Sequence, residues 1–64
     1  MIRINGICVN ISGVSILQYL EEHNYNTSRI AVERNGNILP KSQYDSTLIQ
    51  DGDVLEIVSF VGGG

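Results

Sequence analysis

Apolar residues alternate with polar ones at the start of the chain. Ile2 and Ile4 lie in the run Met1–Asn5, and Ile7, Val9 and Ile11 in the run Ile7–Ile11, with Asn5-Gly6 between them. Period two places alternate side chains on one face, so both runs predict strands with these five residues toward a core and Arg3 and Asn10 toward water. Asn-Gly predicts a tight hairpin turn, because both of its central residues need positive φ. Ser12-Gly13 then breaks the alternation, and Ser12 is the expected N-cap of a helix. Ile16, Leu17 and Leu20 follow at the i, i+1, i+4 spacing of a helical stripe, with Gln18, Glu21 and Glu22 on the other side. That pattern predicts one amphipathic helix of about ten residues laid on one face of a sheet.

The polar run His23–Ser28 ends the helix and reads as a loop. Arg29–Arg34 predicts a third strand, a second Asn-Gly at Asn35-Gly36 predicts a second hairpin, and Asn37-Ile38-Leu39 is its return strand. Pro40 closes that strand because it lacks an amide donor, and it fits the first turn of a short helix over Lys41–Tyr44. Thr47-Leu48-Ile49 leads to a tight Asp51-Gly52-Asp53 turn and then to the most apolar run, Val54–Phe60. The elements are thus ββαββ, a helical turn, then β, an α+β pattern; periodicity does not supply the strand order. In the last strand Leu55 and Ile57 alternate with Val54, Glu56 and Val58, and Phe60 continues the second set. One short helix covers one face of a sheet, so Val58 and Phe60 are expected at the surface as a docking patch, with Phe60 its aromatic anchor.

Composition narrows the function classes. At 64 residues the chain is one small domain, and a single Cys and a single His supply neither an intrachain disulfide nor a four-ligand zinc site. Packing and sheet hydrogen bonds have to hold it. Seven acidic against four basic residues leave a net charge of −3, which gives no electrostatic basis for binding nucleic acid. No apolar run suits a membrane helix and the N-terminus lacks a signal-peptide pattern, so a cytoplasmic location is expected. Cys8, mid-strand, reads as a small structural hydrophobe; His23 reads as a partner for the carbonyls at the helix end. Asp51 and Asp53 read as turn residues rather than metal ligands. No arrangement of nucleophile, acid and base is evident, so the chain is not expected to be an enzyme.

What remains is the end of the chain. Val61-Gly62-Gly63-Gly64 follows directly on the apolar strand, and glycines lose the most freedom on ordering while offering nothing to pack. The expected division is a β-grasp-sized domain over 1–60 and a flexible glycine tail over 61–64. Extended, the tail would reach about 13 Å and present the Gly64 carboxylate, ionised at neutral pH. A frayed end without purpose is the plain alternative.

The Asn-Gly hairpin, Leu39-Pro40-Lys41 with an aromatic at Tyr44, Asp51-Gly52-Asp53, the apolar strand and the terminal Phe60-Val61-Gly62-Gly63-Gly64 together resemble the sulfur-carrier proteins of thiamine biosynthesis, over essentially the whole chain. The resemblance implies a ubiquitin-like β-grasp, a mixed sheet of five strands packed on one helix with the last strand parallel to the first. It also implies that Gly64 is the site of acyl-adenylate and thiocarboxylate formation, with Gly62 and Gly63 forming the slender tail and Val58, Phe60 and Val61 docking the partner. Partners implied are an adenylating enzyme of the ubiquitin-activating kind, which uses ATP and Mg, a sulfur donor such as a cysteine desulfurase, and thiazole synthase. The small subunit of molybdopterin synthase shares the fold and the di-glycine end and is the alternative within the same class. A ubiquitin-like modifier or a passive binding module is the alternative of another class.

Overall fold

A computed structural model describes residues 1–60. Strands β1 (Ile2–Ile4) and β2 (Ile7–Val9) form the first hairpin, with Ile2 opposite Val9 and Ile4 opposite Ile7. Asn5 and Gly6 turn it with φ of +52° and +80°, the left-handed pair that Asn-Gly supplies at least cost. Strands β3 (Ile30–Arg34) and β4 (Asn37–Leu39) repeat the device around Asn35 and Gly36. Strand β5 (Val54–Ser59) runs between the hairpins, parallel to β1 and antiparallel to β3, in the order β2-β1-β5-β3-β4. A mixed five-stranded sheet of this order curled over one helix is the ubiquitin-like β-grasp.

The helix, α1, spans Ile16–Glu22, shorter than the pattern predicts, and its N-cap is Ser15 rather than Ser12. Ser15 Oγ accepts from the Gln18 amide at 3.0 Å. The preceding two free amides of the helix, Ile16 and Leu17, donate to the carbonyls of Thr47 and Tyr44 at 2.9 Å each. Gly13 N donates to Ile49 O, Val14 O accepts from Ile49 N, and Ser15 is bridged to Leu48, so pairing to this segment occupies the chain up to Ser15 and the helix starts only after it. At the other end Asn24, with φ of +61°, lets Asn24 N reach Glu21 O and Tyr25 N reach Leu20 O, a left-handed C-terminal lock. His23 Nδ1 donates to Tyr19 O at 3.0 Å and its ring stacks on that of Tyr19, the carbonyl contact expected of it. Part of the polar run after the helix forms a single 3-10 turn, Thr27–Arg29, capped by Asn26, where sequence predicts only a loop. A second 3-10 turn, Lys41–Gln43, follows Pro40 as predicted.

Ile2 and Ile4, Ile30 and Val32, and Leu55 and Ile57 point from the sheet into one core with Ile16, Tyr19, Leu20, Tyr44 and Ile49. Tyr19 lies outside the predicted stripe but is buried. Ile7 departs from its expected place: it is 67% exposed, because it stands at the turn end of an edge strand, outside the buried cluster. Cys8 is likewise exposed, not structural filling. Its side chain belongs to the sheet face away from the helix, and the residue paired across from it is Arg3.

Candidate functional site

Strand β5 organises the part of the surface that sequence singled out. Its central place forces strict alternation, with Leu55 and Ile57 buried and Val54, Glu56 and Val58 turned to the face that α1 does not cover. Val58 is 53% and Phe60 55% exposed. Phe60 is not loose: its amide donates to Arg29 O at 2.7 Å, which extends the pairing with β3 one residue past the strand. The backbone is therefore aimed up to the last described residue. Val61, Gly62, Gly63 and Gly64, and with them the expected tail and acyl end, lie outside the described residues.

Two asparagines anchor the aim of β5. Asn5 Oδ1 accepts from Ile57 N at 2.7 Å while Asn5 Nδ2 donates to Ile57 O, continuing the parallel β1–β5 ladder where β1 has already turned away. Asn35 Oδ1 accepts from Val54 N at 2.9 Å, and Asn35 Nδ2 donates to Asp53. The hairpin turns thus serve a second purpose, gripping the central strand from both sides.

Asp53, 5% exposed, is the buried anchor at the start of β5. It accepts from Gln50 N at 3.0 Å, Arg34 Nε at 3.2 Å and Asn35 Nδ2 at 3.2 Å. Burial opposes its ionisation, but the bonds from Gln50, Asn35 and Arg34 outweigh that, and its carboxyl is held below the usual carboxylate range. Asp51 pairs with the N-terminal amine of Met1, whose hydrogen bond and charge also lower its carboxyl. Both carboxylates are engaged in holding the turn, and Gly52 supplies the φ of +91° it needs.

Sequence reasoning located Val58 and Phe60 on the open face but missed the residues that complete it. Strand order brings Val54 and Val58 from β5, Ala31 and Glu33 from β3, and Ile38 from β4 together, with Ile38 67% and Val54 45% exposed. The missing information was which strands are neighbours, which periodicity cannot supply.

Comparison with known proteins agrees with this architecture. The ThiS family model matches residues 2–64. A sulfur carrier protein ThiS from Bacillus subtilis is 40% identical over 50 residues, covering 78% of this chain and 76% of that protein. A thiazole synthase from Paramagnetospirillum magneticum is 45% identical over 62 residues, which is 95% of this chain but only 19% of that protein. The crystal structure of the thiamine biosynthesis protein ThiS from Geobacter metallireducens superposes with a TM-score of 0.76 at 27% identity, covering 98% of this chain and 97% of that one. With a β-grasp fold and a family match that runs from the first strand through the final glycine, this chain belongs to the ThiS family of sulfur carriers.

Proposed function

We propose that this chain carries sulfur for thiazole formation in thiamine biosynthesis, as a protein cosubstrate rather than an enzyme, with the Gly64 carboxylate as the carrying group. The observation that supports it most is that the family match continues to Gly64. A carboxylate resists nucleophilic attack because it is already an anion with a poor leaving group. In the proposed cycle a Gly64 carboxylate oxygen attacks the α-phosphorus of ATP and pyrophosphate departs. A sulfur nucleophile from the donor then adds to the acyl carbon and AMP leaves; hydrosulfide gives the thiocarboxylate directly, whereas a donor persulfide gives an acyl disulfide whose S–S bond a thiol reductant then cleaves to release the thiocarboxylate. ATP and magnesium belong to the adenylating partner, where cations offset the phosphate charge. The carrier contributes reach and address.

Val58 and Phe60, with Val61 beyond them, are the proposed docking residues, and Gly62 and Gly63 the slender tail that a partner's channel closes around. The relative in which a region like this chain forms a fifth of a thiazole synthase supports thiazole synthase as the recipient and favours thiamine over molybdopterin biosynthesis. The test is intact-mass spectrometry after incubation with ATP, the cognate adenylating enzyme and a sulfur donor. A gain of about 16 Da, oxygen exchanged for sulfur at the acyl carbon, is the expected result. An unchanged mass, or this chain found joined to lysines of other proteins, would refute it.

A further inference from the structure

Both hairpin turns carry a chemistry beyond their φ preference. In an Asn-Gly pair no side chain shields the glycine nitrogen, which attacks the carboxamide carbon of the asparagine before it. The N–Cγ bond forms, the Cγ–Nδ2 bond breaks, and ammonia leaves with the proton of the glycine amide, giving a five-membered succinimide. Water then opens the ring: cleavage at Cγ leaves aspartate, and cleavage at the main-chain carbonyl leaves isoaspartate, whose backbone is longer by one methylene. Asn5-Gly6 and Asn35-Gly36 are the two such pairs in the chain, and all four residues are exposed. A Cβ built on Gly6 or Gly36 would meet nothing within 4 Å, so neither glycine is crowded. The two carboxamides hold different partners. Asn5 accepts from Ile57 N at 2.7 Å and donates to Ile57 O at 3.2 Å. Asn35 accepts from Val54 N at 2.9 Å and donates to Asp53 Oδ1 at 3.2 Å. A carboxylate donates nothing, so conversion at position 5 costs one bond to a neutral carbonyl, whereas at position 35 it brings a second carboxylate to a buried one.

We propose that Asn35 is a site of spontaneous deamidation that limits the lifetime of the folded domain, because its conversion to aspartate or isoaspartate sets a negative charge against Asp53 and loosens the start of β5. Gln50 N and Arg34 Nε bond to the other oxygen of Asp53, Oδ2, so conversion leaves Oδ1 without a hydrogen-bond donor among the described residues. Arg34 offsets part of the repulsion, and Asp51 is engaged with the Met1 amine. The new carboxylate keeps the Val54 amide only by facing Asp53, and turns from Asp53 only by giving up both bonds. Two carboxylates sharing a site cannot both ionise without cost, so one of them holds its proton more tightly in the folded than in the unfolded chain. The penalty is therefore full at neutral pH and shrinks as pH falls through that raised value. Isoaspartate adds a longer backbone to a two-residue turn whose length fixes the register of β3 and β4.

The test uses the full chain in two arms. In the first, wild-type protein is held at mildly alkaline pH below its unfolding temperature and then mapped by proteolysis and mass spectrometry. A gain of about 1 Da, NH2 exchanged for OH, is expected at Asn35, and the converted fraction is expected to unfold at a lower temperature than the rest. No conversion at Asn35 over a period in which an excised peptide of residues 30–41 is fully converted overturns the proposal. In the second arm Asn35→Asp, Asn5→Asp and Asn35→Gly are compared by thermal unfolding from neutral pH down to about pH 4, near the unperturbed carboxyl value. Asn35→Asp is expected to lose about 5 °C or more at neutral pH, the scale of one lost hydrogen bond in a domain of this size, and to regain most of it on acidification. Asn35→Gly removes the side chain without straining the turn, and its recovery on acidification is expected to be smaller. Equal recovery in the two overturns the proposal, since charge would then play no part, and so does a loss in Asn5→Asp as large as that in Asn35→Asp. If Asn35→Asp is unfolded at neutral pH, folding regained on acidification supports the proposal, and a chain unfolded at every pH overturns it, because acid relieves a repulsion between carboxylates.

Discussion

Asp53 is the buried charged residue that fixes the start of β5. Its carboxylate joins the Arg34 side chain, the second Asn-Gly turn and the Gln50 amide at the start of β5. Replacing it by Ala is expected to cost about 2–3 kcal/mol, since it leaves the partly buried donors of Gln50, Arg34 and Asn35 without their acceptor, as measured by urea unfolding at pH 7. Its pKa in the folded state lies below the unfolded value of about 3.9, so its contribution is complete above that value and is lost as pH falls through the folded-state value. Wild-type stability is therefore expected to decline on acidification below about pH 4, and Asp53→Asn to lack that component of the decline. A pH profile of unfolding free energy for both proteins checks the sign. Ser12 and Ser15 offer a cleaner contrast, because both are serines near a helix start and only Ser15 caps. Ser15→Ala is expected to cost about 1 kcal/mol and Ser12→Ala less than about 0.5 kcal/mol; equal costs in chemical unfolding would contradict the assignment of the cap. In the sequence the two are indistinguishable, since what delays the helix is pairing with residues 47–49, more than thirty positions away.

At the scale of elements, β5 shows what periodicity reads well. Its alternation of Leu55 and Ile57 with Val54, Glu56 and Val58 is reproduced residue by residue, because a central strand has one covered and one open face along its whole length. Ile57→Ala is expected to cost about 3 kcal/mol, and its neighbour Val58→Ala less than about 1 kcal/mol, when thermal unfolding is compared. A Val58→Ala variant as unstable as Ile57→Ala would place Val58 in the core. The hairpins were equally legible, because Asn-Gly names the turn through its own φ preference at Asn5-Gly6 and Asn35-Gly36. The second use of Asn5 and Asn35, as side-chain extensions of the ladder to β5, has no local signature. Edge strands were read less well: Ile7 has the parity of the core-facing residues and Cys8 the opposite one, yet β2 is at the sheet's margin and both are exposed. Amphipathic alternation tells which residues share a face, not whether anything covers it.

For the molecule as a whole, the core formed by the described residues lies within Ile2 to Ile57. Truncation after Phe60 is expected to change the unfolding free energy by less than about 0.5 kcal/mol while abolishing sulfur loading altogether, as checked by urea unfolding and intact mass on the same sample. A truncated chain that fails to fold would contradict the separation of body and tail. The sequence by itself determined the elements, both turns, the alternation of β5 and, through its motifs, the family. These depend on short-range preferences of φ, on side-chain period and on residue types that remain visible in a linear string. Tertiary structure alone decided where α1 begins, which residues hold Asp53 and which strands are edges. Each of these depends on contacts between segments distant in sequence, and pairing two strands fixes the neighbours of every residue along them at once, a cooperative choice that no local window contains.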